Sequence, residues 1–209
     1  MWLAFYNKPA LGDVLLLTSG PMDKDQVTVE SKENVTLICD RDTNQVVSIN
    51  IFHASDLLDI QGQGQVILSK ADEARLNQLL NDLGCQLSIS LDRDPKFVVG
   101  YVEECQAHED SDHLNITQTQ LGQERSQIVC GASNITAGLK VMVAKPGAVM
   151  PSGAIIWPGE LRGVKSDGMI CSTRELGLES IEDLPGIWEL DDSFEPGTPL
   201  EDVVKAYQS

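Results

Sequence analysis

The stretch IVCGASNITAGLKVMVAKPGAVMPSGAIIWPGELRGVKSDGMICS, from Ile128 to Ser172, decides the fold of this chain's second half. Short apolar runs rich in Val, Ile and Ala alternate with breaks that contain Gly or Pro, and no run has room for a helix. Such a pattern predicts short strands joined by tight corners. The stretch closes on Ser166-Asp167-Gly168-Met169-Ile170-Cys171-Ser172 and carries Lys140, Lys145, Arg162 and Lys165 against Glu160 and Asp167.

Working outward, the strands expected are Phe97–Glu103, Leu114–Leu121, Gln127–Cys130, Leu139–Lys145 and Ala154–Trp157. Five strands in so short a span predict an all-β Greek-key barrel of the oligonucleotide-binding (OB-fold) type. Thr198-Pro199-Leu200-Glu201 reads as a capping box with Pro at the first helical position, and predicts a short C-terminal helix over Leu200–Tyr207.

Ahead of the barrel, β-branched runs at Trp2–Tyr6, Val14–Thr18, Gln26–Glu30, Val35–Ile38 and Val46–Phe52 predict a meandering sheet, with a further short run at Val66–Leu68. Ser69, with Asp72 three residues on, predicts a helix start; Leu76, Leu79, Leu80 and Leu83 share one face, and Gly84 supplies the stop. Cys85, Leu87, Ile89 and Leu91 alternate with polar residues and predict a closing strand. The expected organisation is an acidic α+β domain over residues 1–91, a linker over 92–96 at Asp94-Pro95, and the barrel domain over 97–209.

The chain of 209 residues has a formal charge of −17, unevenly spread. Residues 125–174 hold six cations and two anions, whereas residues 175–209 hold one cation and ten anions. A cationic island thus sits inside a protein whose far field repels phosphates, which argues against non-specific binding to nucleic acid or membrane. The cysteines are Cys39, Cys85, Cys105, Cys130 and Cys171, an odd set without a C-x-x-C pair, which predicts reduced thiols in a cytoplasmic protein. No apolar run reaches the ~20 residues of a membrane span.

Several segments carry a family resemblance: Phe97-Val98-Val99-Gly100, His108 to Leu114, Ile128-Val129-Cys130-Gly131-Ala132 with Asn134, Gly138-Leu139-Lys140-Val141, Pro146-Gly147-Ala148, and Leu161 to Met169. In order and spacing they resemble the tRNA-binding domain of phenylalanyl-tRNA synthetase β chains, some methionyl-tRNA synthetases and stand-alone tRNA-binding proteins. A single such module behind an acidic α+β domain resembles the YtpR family. The resemblance implies an OB-type barrel that recognises tRNA or structured RNA by shape and catalyses nothing. It also implies contacts from Asn134, Lys145, Arg162, Lys165, Ser166, Met169, Ser172 and Arg174: the cations to phosphates, the polar side chains to sugar or phosphate oxygens, and Met169 as an apolar contact.

Other chemistries fit less well. His108-Glu109-Asp110-Ser111-Asp112-His113 collects imidazoles and carboxylates but matches no structural-zinc spacing, and no cofactor is expected. Cys130 and Cys171 stand in apolar surroundings and read as core residues. Two alternatives stay open. One is a protein-interaction module that docks on an aminoacyl-tRNA synthetase or self-associates as a homodimer; the other is an enzyme with a cleft around Asp40, Asp42, His53, Asp56 and Asp59.

Overall fold

The computed structural model describes residues 1–208. The chain divides into two compact units, Met1–Asp94 and Pro95–Ser209. Among the described residues no helix is long and apolar enough to cross a membrane.

The first unit is a six-stranded sheet with one helix over it. Its strands are β1 (Leu3–Tyr6), β2 (Val14–Thr18), β3 (Val27–Lys32), β4 (Val35–Asp40), β5 (Val46–Phe52) and β6 (Gly64–Gln65), in the spatial order β3-β4-β5-β2-β1-β6. A one-turn helix, α1 (Lys8–Leu11), links β1 to β2. Strand alternation sends Leu15, Leu17, Val35, Ile49 and Ile51 to one face, all fully buried. Helix α2 (Lys70–Asp82) covers that face with Leu76 and Leu80. The expected Ser69 start is present as a reciprocal capping box, Asp72 N–H donating to Ser69 Oγ and Ser69 N–H to the Asp72 carboxylate.

One expected strand here is corrected. Cys85–Leu91 keeps its alternation of buried and exposed positions but makes only one isolated bridge, Leu91 to Trp2. Its backbone is satisfied by side chains instead: the Asn77 amide bonds both N–H and C=O of Ile89, and Glu73 accepts the Leu91 N–H at 2.7 Å. Helix α2 thus takes the partner's place beside this segment. The short run Val66–Leu68 follows the ladder, which ends at Gln65. Arg93, inside the expected linker, is anchored on the carbonyls of Leu68, Ser69 and Leu91 and pairs with Glu73 at 3.0 Å.

The second unit is a curled antiparallel sheet of β7 (Phe97–Ala107), β8 (Asn115–Leu121), β9 (Glu124–Cys130), β10 (Lys140–Ala144) and β13 (Met169–Cys171), in the order β13-β10-β7-β8-β9. The fourth strand returns beside the first, which is the Greek-key order. A bulge in β7 between Val102 and Glu104 lets that long strand bend with the curl. Successive residues of β10 serve two cores. Val141 and Val143 face the interior of the curl with Val98, Val102 and Ile128, while Met142 and Ala144 face Met150, Leu176, Trp188 and Val203 outside it. Burial on both faces is why Val141–Ala144 reads as an unbroken apolar run.

The tail straps this second core. Strand β14 (Glu189–Leu190) pairs with β10, and helix α3 (Leu200–Tyr207) buries Val203, with Tyr207 stacked on Phe194 at 5.8 Å between ring centres. The predicted capping box at Thr198 is corrected. Thr198 stays extended, its carbonyl accepting the Val99 N–H at 2.9 Å, so the helix cap falls on Pro199 and the Thr198 hydroxyl donates to Glu195 O. The expected strand Ala154–Trp157 is also corrected to a single Val149–Ile155 bridge, because the turn at Pro151–Gly153 leaves no length for a ladder.

Candidate nucleic-acid interface

Between the expected strands lies an unpredicted hairpin, β11 (Gly159–Leu161) and β12 (Val164–Ser166). Leu161 pairs with Val164, so the loop is the two residues Arg162 and Gly163, with φ of 49° and 79°. Positive φ at both positions is the tight turn whose twist suits a hairpin, and Gly163 accepts it freely. Arg162 does not, since a side chain in the left-handed region costs about 1–2 kcal/mol. The cost is offset locally: Arg162 Nη1 donates to Asp110 O at 2.9 Å, and His108 Nε2 lies 3.3 Å from Leu161 O. His108 is 4% exposed and its Nδ1 accepts the Asp110 N–H, so both ring nitrogens are committed to the hairpin and its neighbouring loop.

The root of the hairpin closes the curl. Ser166 Oγ accepts the Val129 N–H at 3.0 Å, Gln127 Nε2 donates to Lys165 O at 2.8 Å, and Asp167 N–H donates to Gln127 O at 2.8 Å. Gly168 then turns with φ of 136°, where a Cβ would stand 2.9 Å from Ala144 O. The Ser-Asp-Gly-Met segment is thus the seam between β13 and β9.

The residues named from the resemblance fall into distinct places. Arg162 and Lys165 share the hairpin and are exposed; the Lys165 carbonyl accepts from Gln127 Nε2, whose amide oxygen accepts from Gln118 on the outward side of β8 and β9. Ser166 lies beneath them, 6% exposed and fully bonded. Met169 is half-buried against the second core and, with Ser172, Glu175 and Gly186, lines a cavity of about 390 Å³. Ser172 is held by Glu175, to which its N–H and hydroxyl both donate at 2.8 Å. Asn134 clamps the tail, bonding Ile187 N–H, Ile187 O and Glu189.

The cationic island is largely neutralised within the fold. Arg125 pairs with Glu103, Lys145 with Glu124, and Arg174 with Asp183, while the Lys140 ammonium is taken up by the carbonyls of Asp192 and Phe194. Lys140, Arg162 and Lys165 have no carboxylate partner among the described residues; the Lys140 ammonium is bound by the two carbonyls, whereas Arg162 and Lys165 are exposed on the hairpin. Burial pushes the Cys171 thiol up to about 12 and raises Cys130 as well. In the first unit, Asp40 is spent on its own turn through the N–H groups of Asp42 and Thr43. Sequence reasoning missed the hairpin because its strands have three residues each, too few for periodicity; the Arg-Gly pair between Leu161 and Val164 was the available signal.

A curled Greek-key sheet closed by a hairpin is the architecture of the small oligonucleotide-binding-type barrels. The family model described as "Putative tRNA binding domain" matches residues 97–199, and a "Domain of unknown function (DUF4479)" model matches residues 22–92. The chain is 43% identical over 198 residues to the Bacillus subtilis (strain 168) protein named "Putative tRNA-binding protein YtpR", covering 95% of this chain and 98% of that one. It is 50% identical over 129 residues to the phenylalanine–tRNA ligase beta subunit of Sulfurimonas denitrificans, covering 61% of this chain and 16% of the subunit. Against the same subunit of Oceanobacillus iheyensis, identity is 58% over 88 residues, 42% of this chain and 11% of the subunit. The chain belongs to the YtpR family.

Proposed function

We propose that this protein binds tRNA, or RNA of the same folded shape, without catalysing a reaction on it, in the cytoplasm. The contact surface is the β11–β12 hairpin with the outward side of β8 and β9. One observation carries the reading: Arg162 and Lys165, exposed and without a carboxylate partner among the described residues, stand on the hairpin inside the segment matched by the tRNA-binding family model. Their charges meet phosphates, which position a bound RNA without reading its bases. Lys145 and Arg174 join only by exchanging Glu124 and Asp183 for phosphate. Ser166 and Asn134 act by holding the backbone, Met169 and Ser172 by lining the adjoining cavity.

With few free cations and a net charge of −17, binding is weak and falls as salt rises, with a shallow slope set by the few phosphates contacted. Fluorescence anisotropy with bulk tRNA over a salt series tests this. No binding at low salt, or binding unaffected by Arg162→Glu with Lys165→Glu, removes the proposal. The ten anions of residues 175–209 favour a second reading, docking on a basic partner such as an aminoacyl-tRNA synthetase. Co-purification with and without ribonuclease separates the two, since a direct protein contact survives the nuclease.

A further inference from the structure

The β11–β12 hairpin is held at its two ends by different means. Its strands pair with each other and with no third strand among the described residues, and all three residues of β11 are exposed. A two-stranded hairpin with so little burial is marginal in water, so its direction is set by what bonds to it. At the root, Ser166 Oγ and Gln127 Nε2 tie it to β9. At the tip the bonds come from the loop that joins β7 to β8, which the His108 N–H closes by donating to Leu114 O at 2.9 Å.

That loop reaches the tip twice. Asp110 O accepts from Arg162 Nη1 at 2.9 Å, and the His108 ring lies between Asp110 and Leu161. A neutral imidazole has one donor and one acceptor nitrogen. Nδ1 accepts the Asp110 N–H at 3.0 Å, so the ring proton stands on Nε2 and goes to Leu161 O at 3.3 Å. One buried ring thereby joins the residue that receives the Arg162 guanidinium to the residue just before Arg162.

We propose that His108 is the positioning residue of the RNA contact: by bridging the β7–β8 loop to Leu161 it fixes the tip of the hairpin, and with it the direction of the Arg162 guanidinium. The inference rests on the tRNA reading of the hairpin. His108, 4% exposed, acts through Arg162 and does not itself meet the ligand. A long cation that must be ordered during binding loses affinity, and one whose backbone and guanidinium are already held loses less.

Fluorescence anisotropy with bulk tRNA at low salt, on the full chain, tests this with two substitutions that divide the work of the ring. His108→Asn keeps an acceptor near the Nδ1 position and has no donor for Leu161 O; His108→Gln extends a donor to the Nε2 position and gives up the acceptor. His108→Asn is expected to weaken binding about fivefold, and His108→Gln to recover most of that loss. Arg162→Ala should weaken binding about fivefold in the unsubstituted chain and less than about twofold in the His108→Asn background, because a residue that acts through Arg162 has little further to lose once Arg162 is gone. Equal losses for the Asn and Gln variants, or an Arg162→Ala effect of the same size in both backgrounds, mark a general role in the fold and overturn the proposal. A His108→Asn variant that binds as the unsubstituted chain does overturns it too. If the unsubstituted chain binds no tRNA, the tRNA reading falls and this inference with it; the other adverse results strike the inference alone.

Discussion

Asn134 and Gly186 stand face to face, with the Asn134 amide oxygen receiving the Ile187 N–H at 3.0 Å and lying where any Cβ on Gly186 would have to go. The pair fastens the tail to the barrel. Asn134→Ala leaves Ile187 N–H and O without their partner and is expected to cost about 1–3 kcal/mol. Gly186→Ala, at φ of 94° and against the same amide, costs at least as much. Urea unfolding measures both, and hydrogen exchange at Ile187–Leu190 should rise first.

Arg162 separates binding from stability. Arg162→Gly removes the left-handed strain of a side chain and the cation together, so the protein keeps its thermal midpoint within a few degrees while tRNA affinity falls and the salt slope drops by about one. Lys145→Glu does the reverse. Its side chain, 16% exposed, pairs with Glu124, and reversal sets two carboxylates together and lowers stability.

Acid sensitivity of the first unit centres on Asp13. Hydrogen bonds from the Ser55 hydroxyl and the Tyr6 hydroxyl hold its carboxyl down at about 2. An unfolded aspartate titrates near 3.9, so the stabilisation is complete above about pH 4 and disappears as pH falls from there towards about 2. Asp13→Asn should flatten the thermal midpoint against pH in that window and lower it at neutral pH.

The thiols should be inert in the native state. Cys130 and Cys171 are buried with raised pKa, and Cys105 is raised too but half-exposed. Iodoacetamide at pH 7.0 is expected to label Cys105 first and slowly, and all five after denaturation; mass spectrometry reads the order.

Gly168 is the tightest point of the seam. Gly168→Ala places a Cβ against Ala144 O at positive φ and should destabilise the second unit by more than about 1 kcal/mol, read from its urea midpoint.

Much of this was legible in the chain. Ser69 and Asp72 announced the start of α2, and the apolar and β-branched run of Leu114–Leu121 announced a strand. Both signals lie between residues a few places apart, where backbone geometry alone relates them. The Cys85–Leu91 alternation was equally clear, but its hydrogen bonds went to Asn77 and Glu73 on a helix, which no local pattern reveals.

The sequence by itself determined most of the strand runs, the Ser69 cap of α2, the family and the excess of cations in residues 125–174, because each rests on local order and spacing. Only the tertiary structure decided which cations remain available. Glu103, Glu124 and Asp183 come from segments outside that stretch and neutralise Arg125, Lys145 and Arg174 through chain folding, leaving Arg162 and Lys165 on the hairpin. Ion pairing acts over a few ångströms in space, and separation along the chain does not set that distance.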